Sequence, residues 1–295
     1  MAAAGRKADV AAFCALGVAM LLWSGTFIAM KLVLSVFHPM FMIFVRMLAS
    51  LLIMAPLLHG WAKRTPYAKG DWRIILLMVC SEPCLYFMFE AYALKYTTAS
   101  QAGLITALLP LLVGVGAFIF LRERLPLRAW LGFFMAVTGV VALTLYGENS
   151  EDAPNAMLGN SLELCAMLSA CVYTLCVRRL RGYPSFFITA LQAGAGTLFF
   201  GVMLLILRVP LPEALPPAAP VIALGFLSMS TIVAYGFYNF GIARLSAGQA
   251  AAWINLIPAL TLAMGVLFLG EGLSPPQIVA VAPIMLGVFI SQKRA

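Results

Sequence analysis

The chain has 295 residues, of which 63% are hydrophobic and only 10% are charged. Soluble domains carry about 25% charged and roughly 45–50% apolar residues, and the mean hydropathy of +0.99 lies far to the apolar side of that. The composition therefore excludes a soluble globular protein and predicts an all-α integral membrane protein embedded in the lipid bilayer. The composition also excludes nucleic-acid binding as the reason for the net charge of +8. Lysine and arginine residues at the edges of membrane spans set the orientation of the protein in the membrane.

Ten apolar runs match the length of about 20 residues that a helix needs to cross the hydrocarbon core. They cover residues 10–34, 39–58, 72–93, 97–120, 127–146, 157–177, 185–207, 219–241, 248–269 and 275–291. The first run is longer than the roughly 7–15-residue apolar core of a signal peptide, which indicates a membrane span and not a cleaved leader. The sequence thus predicts ten transmembrane helices with short connections.

The distribution of basic residues predicts the orientation of these spans. If the N-terminus is cytoplasmic, 15 of the 19 lysine and arginine residues fall in cytoplasmic segments and only Lys95 and Arg208 fall on the opposite side. Such a bias follows the positive-inside rule. We therefore expect a multi-pass protein of the cell inner membrane with both termini in the cytoplasm.

Cysteine, histidine and short motifs give no indication of a metal site or a cofactor. All six cysteines lie in apolar runs, where a thiol behaves as a small packing group, and no Cys-x-x-Cys pair is present. The two histidines, His38 and His59, lie at span ends, which leaves no Ser-His-Asp set or zinc motif. No cofactor is expected and an enzyme is disfavoured, although a membrane-embedded enzyme stays as an alternative of a different class.

The two halves of the chain resemble each other. Residues 99–125 and 247–273 align without a gap at an offset of 148, and ten of the 27 positions are identical. The matches include Gln101 with Gln249, Pro110 with Pro258 and Glu123 with Glu271. Residues 1–150 and 151–295 thus form two repeats of five helices each. Because five is odd, the second repeat is inverted in the membrane, as in many secondary transporters.

Short motifs in both halves resemble the EamA-type branch of the drug/metabolite transporter superfamily. They are residues 23–26 (WSGT), 91–96 (AYALKY), Pro110, 121–125 (LRERL), Pro258 and 269–273 (LGEGL). The chain is most similar in size and aromatic content to YddG-type exporters of aromatic and other amino acids. The resemblance implies export from the cytoplasm through a central cavity lined mainly by helices 1, 3, 4, 6, 8 and 9.

Acidic residues inside the spans are the main candidates for a substrate site. Glu82, Tyr86 and Glu90 are four residues apart and share one face of the third span. A charge at mid-span is expensive, at about 2.5–3.5 kcal/mol on insertion scales, so this face is expected to line a watery cavity. Contact with a substrate ammonium or proton coupling would explain it, and so would a structural ion pair of Glu90 with Lys31 or Arg46.

Further candidates lie in the second repeat. The offset pairs Glu90 with Tyr238, whose polar neighbours Tyr235 and Asn239 also lie in the eighth span. Tyrosines can instead belong to an interfacial belt. Glu163 in the sixth span and Trp253 in the ninth complete the candidate set. In contrast, Glu123 and Glu271 each precede the next helix and are predicted to cap or order their loops.

The predicted function is export of aromatic and possibly other neutral amino acids, or related amines, by alternating access. Cationic drugs and nucleotide sugars are alternative substrates within the same superfamily, although phosphate would favour buried Arg or Lys and the spans hold more acids than bases. Proton coupling and the oligomeric state stay open at this point.

The predicted topology can be tested with reporter fusions after residue 295 and within residues 148–154. We expect the two reporters to report opposite sides of the membrane, with the fusion after residue 295 in the cytoplasm. Both reporters on one side would contradict the ten-span topology.

Overall fold

A computed structural model describes residues 2–64, 68–122, 126–146, 150–210, 217–244 and 253–292, and every regular element within these ranges is helical. The helices are α1 (Ala2–Leu34), α2 (Pro39–Arg64), α3 (Asp71–Tyr96), α4 (Ala99–Phe120), α5 (Leu127–Leu145), α6 (Ala156–Arg179), α7 (Ser185–Ile206), α8 (Ala218–Arg244), α9 (Leu256–Leu269) and α10 (Pro275–Gln292). Helices α1–α8 are long and apolar enough to cross a membrane, and α9 and α10 are shorter apolar helices. The predicted all-α fold is confirmed, while residues 248–252 of the ninth predicted span lie outside the described residues.

Local sequence signals explain where several helices begin and end. The side chains of Thr98 and Asn155 accept hydrogen bonds from backbone N–H groups in the first turns of α4 and α6, at 3.1 Å in both cases, as N-cap residues do. Beyond α4 and α9 the chain turns at Arg122 (φ 56°) and Gly270 (φ 67°). These two positions are 148 residues apart, so the left-handed helix end occurs once in each repeat.

Helices at corresponding positions of the two repeats make corresponding contacts. Helix α1 packs along α8. The corresponding helices of the opposite repeats are α6, the mate of α1, and α3, the mate of α8, and these two also pack along each other. The pairs α2–α7, α4–α9 and α5–α10 each join a helix to its own mate. This pattern is what a pseudo-two-fold axis between two inverted five-helix repeats requires.

Glycines allow helices α5 and α10 to approach each other closely. A Cβ atom on Gly139 would lie 2.6 Å from a side-chain atom of Ile284, and one on its repeat mate Gly287 would lie 2.5 Å from the carbonyl oxygen of Gly132. Without side chains at these positions the two backbones can touch, as small residues allow in membrane bundles.

One end of the bundle is held together by polar contacts. We call it the external end, following the predicted topology. Lys31 Nζ donates to the carbonyl oxygen of Asp152 at 2.6 Å. The Glu271 carboxylate accepts from the backbone N–H groups of Ala99 (2.8 Å) and Ser100 (2.7 Å). Glu271 therefore caps a helix, as predicted, but it caps α4 of the other repeat and not α10. Glu123 lies outside the described residues.

Large apolar side chains cover the outside of the bundle. Phe120 and Phe268 are 74% and 72% exposed, and Leu205 is 80% exposed. Patches of this kind are rare on soluble monomers but are the surface that hydrocarbon tails cover. The polar and charged groups of the spans are instead buried at the centre.

The α5–α10 contact predicts that Gly287→Ala lowers the melting temperature of the purified protein. The added Cβ would meet backbone atoms of Gly132 and Ala136 within 2.6 Å, and such overpacking costs typically about 1–3 kcal/mol. Gly225→Ala is the matched control, because a Cβ on this helical glycine has nothing within 4 Å. Equal melting temperatures for the two variants would contradict the close approach of α5 and α10.

Candidate functional site

A small cavity lies at the centre of the bundle, between the two repeats. Its free volume is about 40 Å³, enough for roughly two or three water molecules. The lining residues are Trp23, Thr26, Phe27, Arg46, Glu82, Tyr86, Phe87, Glu90, Thr106, Leu109, Met167, Ala170, Tyr173, Thr174, Tyr235, Tyr238, Ile254 and Ile257. They come from helices α1, α3, α4, α6 and α8, from the residues at and before the start of α9, and, through Arg46, from α2.

The cavity lies on the pseudo-two-fold axis. Ten of the lining residues form five pairs at the repeat offset of 148. These pairs are Thr26 with Thr174, Phe87 with Tyr235, Glu90 with Tyr238, Thr106 with Ile254 and Leu109 with Ile257. The axis position matters because inverted-repeat transporters bind substrate at the repeat interface near the membrane midplane.

Helix α3 is interrupted beside the cavity. Glu82 has an extended backbone (φ −147°, ψ 116°) within the segment Cys80–Leu85. Pro83 explains the interruption, because proline lacks an N–H and disfavours helical geometry at the residue before it. The sequence predicts a bend here, and the structure shows a complete break. The Glu82 carboxyl is buried, with the Tyr235 hydroxyl as its hydrogen-bonding neighbour.

The second carboxyl of α3 lies two turns beyond the first. Tyr86 donates a hydrogen bond to Glu90 Oε1 at 2.6 Å, a contact that the four-residue spacing on one helix face allows. Both side chains line the cavity together with Glu82. The prediction that these three residues share a cavity-lining face is therefore consistent with their observed positions.

Arg46 brings a positive charge into the same cavity. This side chain is 1% exposed, its Nε donates to Thr231 Oγ1 at 2.6 Å, and its guanidinium lies 4.3 Å from the centre of the Phe87 ring. It acts electrostatically on both Glu82 and Glu90. Sequence reasoning named Arg46 as a structural partner of Glu90 and missed it as a lining residue, although a lone arginine deep in a span was the signal. Lys31, the other suggested partner, bonds Asp152 instead.

Aromatic rings form much of the cavity wall. The Trp23 ring centre lies 4.7 Å from that of Tyr238 and 5.0 Å from that of Tyr235. Tyr235 also contacts Phe87 and Tyr173 edge to face. Trp23, Phe87 and Tyr173 were not predicted as site residues, and their apolar or interfacial pattern gave no signal that separates them from core aromatics.

A polar network continues from the cavity toward the opposite, internal end. The Tyr173 hydroxyl lies 2.8 Å from Asn239 Oδ1 and 3.1 Å from Gln192 Oε1. Asn239 Nδ2 donates to Thr189 Oγ1 at 3.2 Å. Asn239 thus lies one hydrogen bond behind the cavity wall.

The eight predicted site residues are not all brought together. Glu82, Tyr86, Glu90, Tyr235 and Tyr238 line the cavity, and Asn239 supports it through Tyr173. Glu163 is buried on α6, outside the lining. Trp253 is not among the lining residues and packs against Phe13 and Gly17, and its place in the substrate site stays a prediction.

Within the described ranges, no three His, Cys, Asp or Glu side chains are grouped as metal ligands would be. The carboxyls of the cavity face a guanidinium and hydroxyl groups, an arrangement suited to an organic ligand with charged and aromatic parts.

Comparisons with known proteins agree with this architecture. Residues 10–145 and 157–292 each match the EamA-like transporter family. The uncharacterized transporter YetK of Bacillus subtilis is 24% identical, covering 97% of this chain and 88% of its own length. The uncharacterized transporter YcxC of the same organism is 28% identical over 79% of this chain and 77% of its own length. An uncharacterized transporter of Archaeoglobus fulgidus is 26% identical over 83% of this chain and 85% of its own length.

The fold is also similar to that of a protein of known crystal structure. The TM-score is 0.65 at 20% sequence identity, and the match covers 95% of this chain and 97% of that one. Such a likeness concerns the fold alone, whereas the two sequence matches span nearly the whole chain, one in each repeat. The chain belongs to the EamA-like transporter family of the drug/metabolite transporter superfamily.

Proposed function

We propose that this transporter exports neutral amino acids, aromatic ones among them, or closely related amines from the cytoplasm by alternating access. The observation that carries the proposal is that one axial cavity presents two carboxyls, one guanidinium and several aromatic rings. A zwitterion with a ring needs these three kinds of partner. The narrower likeness to YddG-type exporters of aromatic amino acids belongs to the same proposal.

Each part of such a substrate has a partner of matching chemistry. Glu82 and Glu90 are suited to a substrate ammonium, and Arg46 to a substrate carboxylate, because a guanidinium can donate two parallel hydrogen bonds to it. The rings of Trp23 and Tyr238 offer faces to an aromatic side chain or to the ammonium.

The free volume of about 40 Å³ is too small for any amino acid. In this conformation side chains of the cavity contact one another, as Trp23 does with Tyr235 and Tyr238. Substrate entry requires the two repeats to open the cavity to one side of the membrane, which is the essence of alternating access.

The alternative substrates fit this cavity less well. A nucleotide sugar brings two or more phosphate charges, whereas the cavity offers one arginine against two carboxyls. A cationic drug would use Glu82 and Glu90 but would leave Arg46 facing a like charge. An enzyme would need a nucleophile or a general base beside a bound substrate, and the lining that the structure describes offers carboxyls, tyrosines and threonines for that role, without a histidine, lysine or cysteine.

Export against a gradient requires an energy source. We place the protein in the cell inner membrane with both termini cytoplasmic, where the proton gradient is available, and the buried carboxyls make the proton the favoured coupling ion. A dimer is not required by the proposal, because the cavity is formed within one chain.

The proposal is tested with purified protein in liposomes and a panel of radiolabelled amino acids, a nucleotide sugar and a cationic dye. We expect saturable exchange of aromatic and other neutral amino acids. Exchange of the nucleotide sugar or the dye without any amino acid would contradict the proposal.

The role of Arg46 predicts a selective defect in Arg46→Gln. A lost hydrogen bond to a charged group is worth about 1.5–3 kcal/mol, so the affinity for tyrosine should fall roughly tenfold to hundredfold. The affinity for tyramine, which lacks the carboxylate, should change little. Binding is measured by competition in the exchange assay, and Arg208→Gln, at an exposed residue outside the cavity, is the control.

The role of Glu82 predicts the complementary defect in Glu82→Gln. This change keeps the shape of the side chain but removes its charge, so both tyrosine and tyramine should bind more weakly. Unchanged affinity for both ligands in both variants would show that the cavity does not bind substrate in this way.

A further inference from the structure

Glu163 is a buried acid that the substrate site does not use. The residue is 0% exposed, and neither carboxyl oxygen has a hydrogen-bond partner within the part of the chain that the structure describes. An ionised carboxylate in such surroundings is very unfavourable. Burial without a partner therefore favours the protonated form of this carboxyl in the conformation described.

Glu163 lies on the cavity-facing side of α6, between the cavity and the external end. Met167 and Ala170, one and two turns along the same face, line the cavity. One turn the other way, Asn160 accepts from Thr97 at 2.7 Å and donates to Gln101 at 2.9 Å. This buried polar cluster lies between Glu163 and the external end, where α3 meets α4.

The charged and titratable groups around Glu163 are mainly acidic. From α3, Glu90 and Tyr86 act on its carboxyl. Helix α4 contains no titratable residue over 99–120, and α5 has only Arg128, at the far end. Helix α8 contributes Tyr235 and Tyr238 across the cavity. On α6 itself the nearest such groups are Cys165, which points away by its position, Cys171 and Tyr173.

The charge balance of the region requires protons. Glu82, Glu90 and Glu163 are buried together with Arg46 as the buried cation at the cavity. Three ionised carboxylates would leave two uncompensated negative charges in the membrane interior, which burial does not permit. Two of the three carboxyls must therefore be protonated when no substrate is bound.

We propose that Glu163 is the proton-binding residue through which this transporter couples export to proton entry, an inference that rests on the proposed transport of amino acids. A proton from outside binds Glu163 and moves on to a carboxylate of Glu90 or Glu82, from which the ammonium of the next substrate displaces it into the cytoplasm. That carboxylate had held the substrate ammonium, which leaves with its own proton. Exchange of one proton for one zwitterion carries a net positive charge inward.

The deciding variant is Glu163→Gln, which keeps the shape of the side chain and cannot ionise. In liposomes, a proton gradient directed as in the cell should drive accumulation by the wild type, and the response should fall at least tenfold in the variant. Substrate–substrate exchange needs no net proton movement, so it should stay within about threefold of wild type. Glu151→Gln, at an exposed acid of the external end, is the matched control.

The outcomes separate this inference from the proposed function. If wild-type protein exchanges no amino acid, the proposed function fails. If exchange occurs and Glu163→Gln responds to the gradient like wild type, the proton site is wrong while the function stands. Loss of exchange together with the gradient response would also overturn it, because Glu163 would then serve binding or folding. Accumulation by the wild type that responds to a sodium gradient and not to a proton gradient would also overturn the inference.

A second measurement does not depend on transport. In detergent-solubilised protein, the infrared C=O stretching band of protonated carboxylic acids should lose intensity in Glu163→Gln relative to wild type, at neutral pH and without substrate. An unchanged band in a folded variant would show that Glu163 carries no proton and would overturn the proposal.

Discussion

The organisation of this molecule depends on one constraint, the burial of ionisable groups in a membrane interior. Carboxyls and a guanidinium cannot face hydrocarbon, so Glu82, Glu90 and Arg46 meet at the axis between the repeats, where they can face one another and a few water molecules. Apolar side chains then occupy the outside. The position of the cavity follows from this segregation as much as from the helix packing.

The two repeats share a scaffold but not a charge pattern. Five pairs of lining residues obey the two-fold relation, yet the offset of 148 places Ser230 opposite Glu82, Tyr238 opposite Glu90 and Gly194 opposite Arg46. Both carboxyls and the one guanidinium of the lining therefore come from the first repeat. The scaffold is therefore symmetric, whereas the charge pattern makes the two sides of the cavity chemically different.

Periodicity and repeat identity made the fold predictable, because a membrane span has a fixed length and Gln, Pro and Glu do not align by chance in apolar sequence. The α3 face was predictable for a similar reason, since an acid in a span is costly. Arg46 was not recognised as a lining residue, because depth along a helix does not determine which side of it faces the cavity. Glu271 was assigned to the adjacent helix, and no local pattern reveals a cap across repeats.

The interruption of α3 and the polar contacts at the external end together indicate where the helix bundle can move. At the external end, the Glu271 carboxylate accepts hydrogen bonds from the N-terminus of α4, and Lys31 donates one to Asp152. Each contact joins elements of different repeats or of distant loops. The interruption at Glu82 separates two helical segments of α3, Asp71–Val79 and Tyr86–Tyr96, and a hinge needs such a junction. Because Glu90 belongs to one half and Glu82 to the junction, a tilt of the outer half would change the distance between the two carboxyls. Such a tilt would therefore change the electrostatic interaction between the two carboxyls at the same time as the shape of the cavity.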